Sequence, residues 1–203
     1  EFGRTDIASG KSEEQFEEDN NGSPAISGRF GLLRTGIGEV GLSYYGGFYN
    51  SFIVEGQEVD DRRWLGITAL DFGVSLGPAD VRGELAYAQI DVPPGMSEVF
   101  GDRQWGGYLD VVVPLWRPDF SGYRDASFAL GLRLERVDYN RGRFSSTGGK
   151  IMDDVTALVP GISFRPTPGT VFRANYRYQW TRDFVGNQAV RSAGFQVGFA
   201  TYF

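Results

Sequence analysis

The side chains available for chemistry are carboxylates and guanidinium groups. The 203 residues include no histidine and no cysteine. That removes the commonest general base, the usual transition-metal ligand, thiolate chemistry and disulfides. Every Ser-His-Asp arrangement goes with them. Of the 20 basic residues only Lys11 and Lys150 are lysines, so the cationic chemistry belongs to arginine. Arginine keeps its charge in any environment and makes planar, multi-donor contacts. Glu13, Glu14, Glu17, Glu18 and Asp19 form an acidic run. Hard cations bind clustered oxygens, but the EF-hand spacing is missing, so the run reads as a solvated loop. No metal and no cofactor is expected, nor is catalysis.

Two glycine motifs suggest phosphate cradles and lack the context for one. Gly36-Ile37-Gly38-Glu39-Val40-Gly41 has the spacing of a dinucleotide fingerprint. That fingerprint must follow a strand and open a helix, whereas this one opens an alternating apolar run. Gly148-Gly149-Lys150 lacks the first glycine of a P-loop and carries Ile151 where Ser or Thr belongs. A net charge of -6 makes the chain a poor general binder of phosphate backbones, so nucleic acid is not an expected partner.

Any site must be positioned by strands, because the dominant period is two. Phe172, Ala174, Tyr176, Tyr178 and Trp180 alternate with Arg173, Asn175, Arg177 and Gln179. Ala193, Phe195, Val197, Phe199, Thr201 and Phe203 alternate with small or polar residues. Trp105, Leu109, Val111, Val113 and Leu115 share a further face, and so do Phe128, Leu130, Leu132 and Leu134. Nine strands are expected, over 25–34, 38–49, 63–76, 79–91, 103–116, 125–139, 153–165, 169–183 and 192–203. Most are about 10–15 residues long, against about five or six in soluble domains and about 9–11 for a tilted strand crossing a bilayer.

The connections sort by length. Arg34–Gly38, Gly77–Pro78 and Pro166–Pro168 are tight, and Arg117–Arg124 is somewhat longer. Asn50–Arg62, Val92–Asp102, Asn140–Met152 and Phe184–Arg191 are long and polar. Short turns at one rim and long loops at the other fit a transmembrane, antiparallel, up-and-down β-barrel. Aromatics near strand ends (Phe48, Trp64, Tyr87, Trp105, Tyr139, Phe164, Trp180 and Phe203) fit two interfacial girdles. A soluble sandwich or a lipocalin-like barrel also alternates, but its solvated face would favour Lys and Glu. Here the second face is rich in Gly, Ala and Ser with isolated charges. Residues 1–24 are expected to be an acidic extracellular loop, with Glu1-Phe2-Gly3 able to end a preceding strand, and residues 25–203 the barrel strands.

Alternation puts Arg29, Glu39, Asp71, Arg82, Glu84, Asp110, Arg133, Glu135, Arg173 and Arg177 on the inward face. Rings of charge set pore selectivity. In a small, filled barrel the same groups would only salt-bridge across the interior. In a barrel of 16–18 strands, which leaves an aqueous channel, they would line water.

Gln196, Gly198 and Phe203 resemble the C-terminal assembly signal of bacterial outer-membrane proteins, with Thr201 departing from it. Asp19-Asn20-Asn21-Gly22 before Gly28-Arg29, Arg136-Val137-Asp138-Tyr139-Asn140, and Phe164-Arg165-Pro166-Thr167-Pro168-Gly169 resemble the phosphate-selective porin O/P-like family, over the C-terminal half of its barrel. The resemblance implies passive diffusion of small hydrophilic solutes or ions across the outer membrane of a Gram-negative-type bacterium. It also implies contact with outer-membrane lipid, lipopolysaccharide and the barrel-assembly machinery, with a homotrimer as a possible assembly. Asp60-Asp61 and Asp153-Asp154 then read as solvated loop groups or as contacts to lipopolysaccharide-associated cations. The alternative is a small closed barrel acting as a scaffold with partner-binding loops. A third class, half of a TonB-dependent receptor, requires a plug domain and longer loops.

Overall fold

The computed structural model describes residues 22–50, 52–54, 56–118 and 125–202. Nine long strands form one sheet. They are β1 (Ile26–Arg34), β2 (Gly38–Phe48), β5 (Trp64–Leu76), β6 (Ala79–Ile90), β7 (Arg103–Trp116), β8 (Ser127–Asp138), β9 (Asp154–Thr167), β10 (Thr170–Arg182) and β11 (Val190–Thr201). Each pairs antiparallel with its neighbour in sequence. The order β1-β2-β5-β6-β7-β8-β9-β10-β11 is a pure meander. The nine expected strands are there, but β9 runs through Thr167, so the turn expected at Pro166–Pro168 is Pro168-Gly169; residues 51, 55 and 119–124 of the connections lie outside the described ones. The acidic run, Glu1-Phe2-Gly3 and Phe203 also lie outside them.

The sheet is a single layer and is not closed among the described residues. An odd number of alternating strands makes β1 and β11 run the same way, and each leaves one edge without a partner in this sheet.

Gly38 shows why the dinucleotide spacing occurs without a nucleotide fold. It sits at φ 150, and a Cβ there would overlap the Gly73 carbonyl of the adjacent strand. Gly36, at φ 80, forms the turn before it. These glycines serve a hairpin and a close strand approach. Gly148, at φ 69, likewise lies in a loop with no helix behind it.

Three local features differ from the expected pattern. The loop after β2 contains a two-stranded hairpin, β3 (Ile53–Val54) and β4 (Gln57–Glu58). The loop after β6 contains a helical turn, α1 (Ser97–Phe100). In β7 the register shifts between Pro114 and Trp116, so Trp116 rather than Leu115 comes opposite Phe128. Proline has no N–H for the ladder, and a bulge beside it absorbs the loss.

The long loops are built around buried polar groups. Asn140 is 2% exposed. Its amide donates to the Ser97 and Glu98 carbonyls, both at 3.0 Å, and accepts from the Gly142 N–H at 2.9 Å. One side chain thus ties the β6–β7 loop to the β8–β9 loop. Asn140→Ala leaves those groups without partners and should cost about 1–3 kcal/mol of loop stability. The expected readout is faster proteolysis within 92–102 and 140–152 while the strands stay resistant. Unchanged cleavage would refute the role.

Glu98 reinforces the same junction. The Ser145 hydroxyl, and then its N–H at 2.6 Å, hold the Glu98 carboxylate below its ordinary pKa. The link is therefore intact above the usual glutamate value of about 4.3. It is lost as pH falls through the depressed folded value. The Ser145 amide resonance should titrate with a midpoint below that of an unperturbed glutamate; a midpoint at or above it contradicts the assignment.

Candidate functional site

Paired residues of an antiparallel sheet share a face, so the register fixes what faces what. Arg29, Glu39, Asp71, Arg82, Glu84, Asp110, Arg133, Glu135, Arg173 and Arg177 all lie on one face. Between them stand small residues such as Gly41, Ser43, Ala69, Ala86, Gly106 and Gly131.

The register orders these charges into rows. One row runs Gly41, Asp71, Glu84, Tyr108, Glu135, Ala157, Gln179 and Ser192, and its ionisable carboxyls carry only negative charge. The next row toward the tight turns holds Glu39, Arg82, Asp110, Arg133 and Arg177, of mixed sign. Beyond it comes Asp80, paired with Ser75 and Val112, and then, close to the turns, Arg165 and Arg173, paired with Ser127 and Ser163. The face thus passes from acidic at mid-strand to basic near the turn that joins β9 and β10, with Asp80 near the β5–β6 turn.

Two ion-pair networks occupy this face. Arg29 reaches Glu39 at 2.6 Å and Asp71 at 2.7 Å. Asp71 stands two strands away, and the contact crosses Gly41, where a Cβ would meet Asp71 Oδ1 at 2.6 Å. Gly41 is thus the opening that lets the pair form. In the second network Arg133 contacts Asp110 at 3.1 Å and Glu135 at 2.6 Å, and Arg177 contacts Glu135 at 2.6 Å. The Arg133 Nε is not aligned for a hydrogen bond, so its contact with Glu135 is ionic only. The Arg133 guanidinium also stacks 3.9 Å from the Tyr108 ring centroid. These side chains are about a quarter to half exposed, so the pairs add little stability. Their effect is on the local field.

Arg82, Glu84 and Arg173 form no ion pair with any described residue. Arg82 and Arg173 join Arg117, Arg165 and the paired Arg133 around a hollow of about 520 Å³, opposed by Asp80 and Asp110. Arg117, Arg165, Asp80 and Tyr108 were not expected as site residues. Arg165 was legible, since the alternation of β9 carries through to Pro166; Tyr108 was not, because its role depends on Arg133 lying two residues from its cross-strand partner.

The face changes character toward the long loops. Leu65, Ala88 and Ile90 are buried there and pack with Ile67 and Val92. On a single-layer sheet such side chains are buried only where chain lies over them. The loop after β6, which carries Val92, therefore folds back over this end of the charged face. Alternation alone gave no signal of that.

Asp153 and Asp154 are buried rather than solvated, which corrects the expectation for that pair, whereas Asp61 is exposed and Asp60 partly so. Arg63 grips Asp60 with two nitrogens, at 2.5 and 3.0 Å, and holds its carboxyl below the ordinary value. Asp154 is buried against Arg182 at 2.5 Å, and Asp153 is buried as well. Among the described residues no group of three acidic side chains is placed to hold a metal.

The opposite face carries no charge across its middle. Val40, Leu42, Leu70, Val81, Leu85, Leu109, Val111, Leu132, Leu158, Ile162, Phe195 and Val197 lie there, many of them more than 40% exposed. Trp116, Phe128, Phe164, Phe172 and Phe199 form one register row near the turns, with ring centroids 4.4–6.4 Å apart. Toward the loops a second row runs Tyr44, Thr68, Tyr87, Trp105, Asp138, Asp154 and Arg182. Phe172 and Arg182 stand about 33 Å apart along β10 at 3.3 Å per residue. At a strand tilt of about 40° that is about 25 Å, the height of a barrel's apolar band.

No family model matches the chain, and no curated protein or solved structure matches it.

Proposed function

We propose that these strands form part of the wall of an outer-membrane β-barrel porin, with the charged face lining water and the apolar face meeting lipid. One observation carries the reading: a nine-stranded single layer exposes an apolar face with no charge across its middle and with aromatic residues toward both ends, while its other face holds the mid-strand charge. Soluble proteins rarely expose apolar patches above a few hundred Å². Among the described residues no helix is long and apolar enough to cross a membrane. Closure into an antiparallel barrel requires an odd number of further strands between β1 and β11, as in a ring of 10, 16 or 18. The resemblance to the phosphate-selective porin O/P-like family favours the larger rings.

Solutes would move passively, selected by the width of the opening and the charge on the wall. Gln196, Gly198 and Phe203 would serve recognition by the assembly machinery; Gln196 and Gly198 lie in β11 and face the charged side.

A second reading has its own support. The linked Asp110, Arg133, Glu135 and Arg177 pairs neutralise much of the wall, as in a filled scaffold barrel. Planar-bilayer recording on the native protein separates the two. The porin reading expects stable, ohmic current steps. Protein that inserts and passes no steady current would refute it and favour the scaffold.

A further inference from the structure

Two opposite charges in the interior of the sheet, Arg82 and Glu84, are left over when the others on the charged face pair. Both lie on β6, which has β5 and β7 hydrogen-bonded on its two sides. Both are exposed, and neither is ion-paired to any described residue. The neighbours that could neutralise them are engaged elsewhere. Asp110, directly across from Arg82, is held by Arg133 at 3.1 Å. Asp80, two residues before Arg82, accepts from the Ser75 hydroxyl at 2.9 Å. Asp71, directly across from Glu84, is held by Arg29 at 2.7 Å, and as a like charge it offers Glu84 no partner. On the other flank Glu84 meets Tyr108, whose ring is covered by the Arg133 guanidinium.

Residues two apart on a strand share a face and stand about 6.6 Å apart. The wall therefore holds one free cation and one free anion side by side. Small residues keep the surface around them open: Gly73 stands across from Arg82, and Ala86 follows Glu84 on the same face. Arg82, Glu84 and Tyr108 line one hollow of about 730 Å³. A simple ion gains at one of these charges and is opposed at the other. A solute carrying both an ammonium and a carboxylate gains at both. Its carboxylate suits the planar donor fork of Arg82, and its ammonium donates to the Glu84 carboxylate. We propose that Arg82 and Glu84 form a binding site for zwitterionic solutes of the free α-amino acid class. Exposed charge pairs are weak, which lets the solute leave again, as conduction requires. The proposal rests on the porin reading above and names the solute class that this part of the wall selects.

The test uses the native protein carrying this chain, reconstituted in phosphatidylcholine vesicles. Entry of labelled alanine at trace concentration is compared with entry of labelled lactamide, its uncharged isomer, after subtraction of entry into protein-free vesicles. Wild type should admit alanine severalfold faster, and excess unlabelled alanine should slow alanine but not lactamide. Arg82→Gln and Glu84→Gln should each bring the alanine-to-lactamide ratio near one, with lactamide entry showing that the channel is open. Arg34→Gln, on the opposite face, should keep the wild-type ratio. A wild-type ratio near one, with lactamide entering, overturns the site and leaves the porin standing. A raised ratio that survives either substitution overturns the paired site, since a zwitterion needs both charges. Entry of neither solute into wild-type vesicles overturns the porin reading, and the site with it.

Discussion

Val111→Arg is expected to cost about 2–4 kcal/mol of stability in a bilayer, whereas Val112→Arg should stay within about 0.5 kcal/mol of wild type. The two residues are neighbours in β7 and differ only in face. Val111 pairs with Val81 and Leu132 on the uncharged side. An arginine there sits far from both aromatic rows, where its charge must be dragged to the interface or carry water into the hydrocarbon. Val112 pairs with Asp80 and Gly131 on the charged side. An arginine there gains a carboxylate directly across the strand and, beside Gly131, meets open space, since even a Cβ on Gly131 would have nothing nearer than 3.9 Å. Denaturant titration of protein in vesicles, followed by tryptophan fluorescence, measures the contrast. Equal losses at the two positions would mean that both faces are packed, and the membrane reading would fall.

The strands were legible because a period of two is read directly from side-chain type. Phe172 to Trp180 against Arg173 to Gln179 fixes both the element and its two faces. Alternation also placed every candidate charge on its face. It could not name their neighbours. That Arg29 meets Asp71 depends on the pairing of three strands and on the missing side chain of Gly41, and no one-dimensional pattern contains either. The bulge at Pro114 was hidden for a similar reason, since Leu115 continues the alternation of Val111 and Val113 in the sequence while the backbone breaks it. The loops were least legible. Asn140 and Arg63 look like ordinary polar loop residues, and only their burial in three dimensions makes them structural. Asp154 was misjudged because its arginine partner is set by how the strand ends meet.

Arg173→Glu should shift ion preference toward cations, and the structure says why this arginine matters more than its neighbours. Arg133 and Arg177 share Glu135, and Arg133 also meets Asp110, so their fields are largely cancelled at short range. Arg173 stands between Ser163 and Gly198 with no carboxylate in contact, beside Arg82 and Arg165 in the basic hollow. Reversing it changes the wall by two charges at the place where positive charge is least balanced. Screening sets the size of the effect. With a Debye length of about 30 Å at 0.01 M salt the whole opening senses the change, and at 1 M, where it is about 3 Å, only ions touching the wall do. The cation-to-anion permeability ratio, read from reversal potentials across a salt gradient, should therefore rise severalfold at low salt and approach wild type at high salt. Arg34→Glu, on the opposite face, should leave the ratio unchanged. A reversal potential that ignores residue 173 at low salt would mean the charged face does not line the conducting path.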